Sequence, residues 1–236
     1  AIRGIGEKFG VNPATGTGSL SVPIFTSPGR SGFGPQLSLS YDSGSGNGPF
    51  GFGWSLSLPS ITRKTDKGLP KYQDAIESDE FILSGAEDLV PVFKKDLKGD
   101  WVHNPKGEHE FDEEARDGYI VRRYRPRIEG LFARIERWTL KSDGDVHWRS
   151  ISKDNILTVY GRDEQSRIFD PSDKRRIFSW LICESYDDKG NAIIYEYKAE
   201  NDSGIDWTQA NEFNRLRAAN RYLKRIRYGN RKPLLL

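Results

Sequence analysis

Short runs in which apolar and polar residues alternate, separated by Gly, Asp, Asn and Pro, dominate the chain, and that period-two pattern predicts antiparallel strands. "LSVPIF" places Leu20, Val22 and Ile24 on one face, "LSLSY" does so with Leu37, Leu39 and Tyr41, and "WSLSL" with Trp54, Leu56 and Leu58. Joined by "TSPGRSGFGPQ" and a glycine-rich loop, these three predict a meander. Residues 62–80 read as polar and turn-like, "FILSG" and "LVPVF" predict a pair across "AED", and residues 94–118 read as charged loop. A strongly patterned block follows: "YIVRRYR", "LFARIERWTL", "DVHWRSI" and "ILTVYG". Asp143-Gly144 predicts a hairpin within it, with Trp138 and Trp148 in contact across its two arms. "IFSWLICESYDDKGNAIIYEYKAE" predicts another, turning through "DDKGN". Its first arm is apolar on both faces, Ile177, Leu181 and Cys183 against Phe178, Trp180 and Ile182, so it is expected to be buried on both sides. One helix is predicted, over residues 208–219, with Thr208 as N-cap and Phe213 and Leu216 three apart. A last strand, "RYLKRIRYG", follows it. The fold class is therefore all-β, mainly antiparallel hairpins and meander in open or curved sheets, with one short helix near the C-terminal end. No composition break divides residues 1–236, which predicts a single β-rich domain.

The stretch "YDSGSGNGPFGFGWSLSLPSITR" could be a phosphate loop or a turn device. A nucleotide loop needs a Lys with Ser or Thr placed for phosphate and magnesium, or a fingerprint between strand and helix. Here Gly44, Gly46, Gly48, Gly51 and Gly53 surround Phe50 and lead into alternating Trp54, Leu56 and Leu58, so no helix N-terminus faces an anion. Glycine at such a place supplies positive φ and close backbone approach where strands end and reverse.

Composition narrows the picture further. With 236 residues, 36% hydrophobic and 12% aromatic, the chain can bury a substantial core and is globular. A net charge of +2 argues against a dedicated nucleic-acid binder. No apolar run approaches the roughly 20 residues that span a bilayer, and the first residues lack a secretion-signal pattern, so no membrane insertion is expected. One cysteine, Cys183, excludes an internal disulfide framework and reads as a buried, inert thiol. Methionine is absent, and Leu234, Leu235 and Leu236 close the sequence; both suggest a piece of a longer polypeptide.

The candidate chemistry is sparse. His103 and His109 lie with Glu108 and Glu110 in "HNPKGEHEF", without helical metal-ligand spacing. Glu108-His109-Glu110 gives the Glu-x-Glu of mono-ADP-ribosyltransferases, but that class also needs a Ser-Thr-Ser strand, which is missing. "GSGNG" has the wrong spacing for a nucleophile elbow, and His147 sits between Val146 and Trp148 on a strand. The basic runs "RRYRPR" and "KRIRYGNRK" are split between two strand faces and read as ion-paired surface. No catalytic, cofactor or metal residue is assigned. A binding alternative is an aromatic glycan or host-surface platform built from residues such as Trp54, Trp138 and Trp148.

The opening block from Gly16 to Asp74, followed by "DEFILSG", together with "RYRPRIEGLFARIERW", "WLICESYDDKGNAIIYEYKAEN" and "NRYLKRIRYGN", closely resembles the N-terminal domain of the Salmonella virulence plasmid B (SpvB) family. It also resembles the B components of bacterial insecticidal toxin complexes. The resemblance implies a structural part of a secreted shell in which a B component and a C component with Rhs repeats enclose a toxic enzyme. It also implies an A component for translocation, engaged only indirectly by this region. In "YDDKGNAIIYEY", Tyr186, Asp187, Gly190, Asn191, Tyr195 and Tyr197 resemble an Rhs-type hairpin. The family's transferase lies elsewhere in its polypeptides, so no enzymatic activity and no cofactor are expected of this chain.

Overall fold

The computed structural model describes residues 6–12, 16–84, 87–127 and 132–234. The first sheet is the meander: β1 (Lys8–Asn12), β2 (Thr17–Ile24), β3 (Leu37–Asp42) and, after a small ribbon of β4 (Asn47–Gly48) and β5 (Gly51–Phe52), β6 (Trp54–Leu56), in the order β1-β2-β3-β6. Antiparallel register sorts its side chains. Phe9, Leu20, Tyr41 and Trp54 form one row, and Val22, Leu39 and Leu56 another, all on one face. The row between them, Ser21, Ser40 and Ser55, lies on the opposite face.

The larger sheet contains β7 (Ser60–Arg63), β8 (Phe81–Leu83), β9 (Glu87–Pro91), β10 (Glu113–Arg116), β11 (Tyr119–Pro126), β12 (Phe132–Leu140), β13 (Val146–Ser152), β14 (Leu157–Tyr160), β15 (Arg167–Asp170), β16 (Asp173–Tyr186), β17 (Ala192–Ala199) and β18 (Arg221–Tyr228). Eight of them close on themselves in the order β14-β13-β12-β11-β9-β8-β7-β16, because β16 pairs back onto β14. The 14-residue length of β16 makes closure possible: Ser179–Leu181 pair with β7 while Ile182–Tyr186 pair with β14. Both faces of this arm are buried, with Ile177, Trp180, Ile182 and Cys183 all inaccessible.

Eight strands enclose a space that side chains can fill. Phe81 sits at its centre, 5.0 Å from the ring of Trp148, 5.9 Å from Trp180 and 6.1 Å from Tyr124. Their edge-to-face geometry is the favoured one for aromatic pairs, each adding about 0.5–1.5 kcal/mol beyond burial. Trp148 and Trp180 are fully buried, and the Trp180 indole donates to the Val146 carbonyl at 2.8 Å. The barrel interior is thus packed with aromatic side chains.

Three expectations are corrected. Residues 208–219 form successive turns, and no α-helix occurs among the described residues. Phe213 and Leu216 are exposed and meet no core, while Asp206 accepts from the Thr208 backbone and hydroxyl and so fixes a turn where a helix start was expected. The contact between Trp138 and Trp148 does not form: register sets Trp138 opposite His147 and Trp148 opposite Arg137, so the two indoles lie on opposite sides of the barrel wall. Residues 92–112 are ordered backbone pairing. Lys94 N–H donates to Glu110 O (2.8 Å), Glu110 N–H to Val102 O (2.9 Å) and Val102 N–H to Lys94 O (3.1 Å), a closed ring of three segments eight residues apart.

On the outer wall, Trp138 stacks with His147 at 5.8 Å, and the Arg149 guanidinium lies 3.6 Å over the Trp138 ring. Burial, followed by the charges of Arg149, Arg162 and Arg167, pushes the His147 imidazole down to about 3. Folded His147 is therefore neutral while the unfolded chain takes up a proton below about 6.5, so stability is full above that pH and falls on acidification toward 3. Urea unfolding at pH 7 and pH 4 is expected to show wild type losing about 3 kcal/mol more than His147→Gln over that interval. Equal losses would remove His147 from the acid response.

Candidate functional site

The densest polar constellation lies at one mouth of the barrel, where residues 64–80 fold over the opening. Arg63, at the end of β7, is 1% exposed and is held bidentately by Asp74 (2.5 and 2.8 Å), by Asp79 at 2.8 Å and by the Ile177 carbonyl at 2.7 Å. Beside it, Glu77 accepts from Arg137 (2.7 Å), from the Tyr124 hydroxyl (2.7 Å) and from Arg122. Three arginines thus face three carboxylates, as buried charges require. Burial works against the charge of Asp79, but the backbone N–H groups of Lys71 and Tyr72 and the Arg63 guanidinium hold its carboxyl below the usual range. Burial raises the Tyr124 hydroxyl well above its ordinary value, which keeps it a donor. Glu77 has φ 52°, a left-handed conformation that aims its carboxylate back into the barrel. Such an arrangement fixes the segment carrying Asp74, Glu77 and Asp79 against the barrel strands.

The hairpin between β16 and β17 is organised by Asp187. Its Oδ1 accepts from the backbones of Lys189 (3.0 Å) and Asn191 (2.8 Å), its Oδ2 accepts from the Asn191 side chain (2.7 Å), and Gly190 takes φ 73°. Burial opposes ionisation, but the Asn191 and Lys189 hydrogen bonds hold the Asp187 carboxyl below its usual range. Tyr195 is buried, Tyr197 donates to the Ile182 carbonyl at 2.7 Å, and Tyr186 donates to Glu184 at 3.1 Å. The same Asx-x-Lys-Gly turn occurs twice in the ring of residues 92–112. Asp96 Oδ1 accepts from Lys98 and Asp100, and Asn104 Oδ1 from Lys106 and Glu108. This eight-residue repeat, "DLKGD" then "NPKGE", is visible in the sequence but is masked there by its high charge.

In the glycine turn, Gly44 donates to Asp42 Oδ1 at 2.7 Å, Gly53 donates to the Gly46 carbonyl at 2.9 Å, and Gly48 pairs with Gly51. Gly51 and Gly53 have φ 101° and 78°. The turn brings Trp54 beside Tyr41, with ring centroids 5.3 Å apart, while Phe50 at the tip is half exposed.

The other candidates are structural in their surroundings. His103 and His109 face each other across an antiparallel bridge with ring centroids 4.6 Å apart, beside Trp101 and Phe93, and Glu108 accepts from Asn104. Among the described residues, no group of three or more His, Cys, Asp or Glu is placed to hold a metal ion. The Cys183 thiol is buried, donates to the Val159 carbonyl, and is pushed up to about 11 by burial. In the basic runs, Arg122 pairs with Glu77 and Glu113, Arg123 with Asp112, Arg127 with Asp88, and Arg225 and Arg227 both with Glu196. Trp138 and Trp148 are buried, so no common aromatic groove forms with Trp54. No described helix is long and apolar enough to cross a membrane.

Comparison with known proteins decides the family. The profile of the Salmonella virulence plasmid 65kDa B protein matches residues 12–235. The chain belongs to the SpvB family. It is 38% identical over 229 residues to the mono(ADP-ribosyl)transferase SpvB of Salmonella typhimurium, a match covering 97% of this chain and 37% of that protein. Among solved structures, TcdB2-TccC3 superposes with a TM-score of 0.80 at 33% identity, covering 99% of this chain and 11% of that one. The N-terminal domain of the effector SpvB from Salmonella typhimurium gives 0.72 at 37% identity, covering 90% of this chain and 66% of that one. The Photorhabdus luminescens Tc holotoxin pore gives 0.78 at 33% identity, covering 99% of this chain and 10% of that one. The SpvB-family fold is thus shared between a virulence effector and a toxin complex. One expectation is corrected by these relatives: the chain was read as not enzymatic, whereas the curated SpvB proteins are named transferases, and this chain spans little more than a third of their length.

For this SpvB-family chain, the glycine turn yields a contrast between neighbours. A Cβ on Gly53 would lie 2.5 Å from the Tyr41 ring and 2.9 Å from the Asp42 carbonyl, whereas on Gly51 it would meet nothing within 4 Å. Gly51→Ala is expected to cost about 1 kcal/mol for its positive φ, and Gly53→Ala about 2–4 kcal/mol because a clash is added. Denaturant midpoints of the two variants check this order; equal losses would contradict it.

Proposed function

We propose that this chain is a structural domain of a bacterial toxin-complex shell, a β-rich unit of a longer secreted polypeptide that, with an Rhs-repeat partner, encloses a toxic cargo for delivery to host cells. The observation that carries the reading is near-complete superposition on a small part of TcdB2-TccC3, which supports reading the chain as one module of a larger assembly of that type. The physical character of the domain supports it. A wall must be rigid and hydrogen-bonded along its strands, and this barrel has an aromatic interior and paired charges that tie residues 74–79 to it. The glycine turn at Gly44–Gly53 and the hairpin from Tyr186 to Tyr197 serve in this reading as devices that bend and reverse wall strands. Contact with a translocating A-type component is indirect, through other parts of the assembly.

Co-purification of the longer polypeptide with an Rhs-repeat partner and its cargo tests the proposal. The cargo is expected to resist added protease in the intact complex and to be cleaved when residues 6–234 are deleted. Equal protection with and without them would overturn it.

A further inference from the structure

The four-stranded sheet carries an apolar face that the described residues cover only in part: Leu20, Val22, Leu39, Tyr41, Trp54 and Leu56 are half-buried. Its main pairings are internal, β1 with β2, β2 with β3 and β3 with β6. At the β6 end, Leu56 borders a groove of about 500 Å³ shared with Leu181, Tyr197 and Leu223. At the β1 end the rows are uncovered among the described residues: Phe9 is 75% exposed and Val11 61%, and both share the face of Leu20. Leaving so large an aromatic exposed beside a row of Leu, Tyr and Trp forgoes several kcal/mol of burial.

Size helps to identify what covers it. Four strands about 4.8 Å apart and about six residues long at roughly 3.3 Å per residue present a face of about 400 Å². A second copy docking freely needs about 800 Å² from each partner, so this face alone falls short by half. A segment of the same polypeptide needs less, because tethering gives an effective concentration in the millimolar range. Such a segment has a counterpart: the solved N-terminal domain of SpvB extends beyond its match to this chain by about a third of its own length.

We infer that the apolar face of the β1-β2-β3-β6 sheet is a seat for an apolar strand or hairpin from the longer polypeptide, the counterpart of that remaining third, which turns an open sheet into one layer of a two-layer wall. The serine face opposite, with Ser40 and Ser57 hydroxyls 3.0 Å apart, stays uncovered by that segment. The inference rests on the proposed membership of a longer shell polypeptide.

Thiol alkylation tests it, because the chain's single cysteine, Cys183, is buried and silent in the folded barrel. Val11→Cys reports the apolar face and Ser21→Cys the serine face. In the 236-residue chain both are expected to react at rates of the same order. In the longer polypeptide Val11→Cys is expected to slow at least 50-fold while Ser21→Cys changes less than 3-fold. Fast alkylation at Val11→Cys in the longer polypeptide would overturn the inference. So would concentration-dependent protection in the 236-residue chain, which would assign the face to a second copy. Reactive Val11→Cys with cargo still protected from protease refutes only this inference. Protected Val11→Cys with cleaved cargo refutes only the shell reading.

Discussion

The barrel depends on Arg63. A charge removed from water needs matched partners on every donor, and here one guanidinium meets Asp74, Asp79 and a backbone carbonyl of β16 while lying 4.8–5.3 Å from the rings of Tyr72, Phe81 and Trp180. Three parts of the fold are thereby tied at one point: the β7–β16 seam of the ring, the covering loop of residues 64–80, and the aromatic core. Loss of Arg63 would leave the Asp79 and Asp74 carboxylates without their shared counter-charge. Beside it, Glu77 gathers Arg137, Arg122 and the Tyr124 hydroxyl on one carboxylate, although Arg137 leaves its Nε and Nη1 without a hydrogen-bond partner.

The barrel buries its large aromatics and pairs Arg63, Arg122, Arg137 and Arg167 with carboxylates, whereas the first sheet has one serine face and one apolar face that the described residues cover only in part. The turns follow the same economy of means. A carboxylate or carboxamide accepting two backbone N–H groups ahead of a glycine stabilises a reversal without any core, which is why the ring of residues 92–112 holds its shape almost wholly in solvent.

Local periodicity made the long strands legible, and β2, β3, β12, β13, β16 and β17 all lie where alternation predicts them. Alternation also told that β16 is buried on both faces, but not why, since its closure onto β14 joins segments more than twenty residues apart. The helix expected over residues 208–219 failed because two apolar residues at helical spacing do not make a helix without a surface to cover, and the Asp206 turn competes locally. The indole pair failed on register: Trp138 and Trp148 are ten residues apart across a turn that pairs 138 with 147. Arg63 and Glu77 gave no sequence signal at all, because a charged residue at a strand end reads as surface until the fold brings its partners round it.

Arg63→Met tests this account most directly, since methionine keeps the apolar stem and deletes the charge. Denaturant unfolding is predicted to show a loss of about 3–5 kcal/mol, the cost of leaving Asp79 and Asp74 unmatched in the interior. A loss below about 1 kcal/mol would contradict the claim that this arginine fastens the seam, the covering loop and the core together.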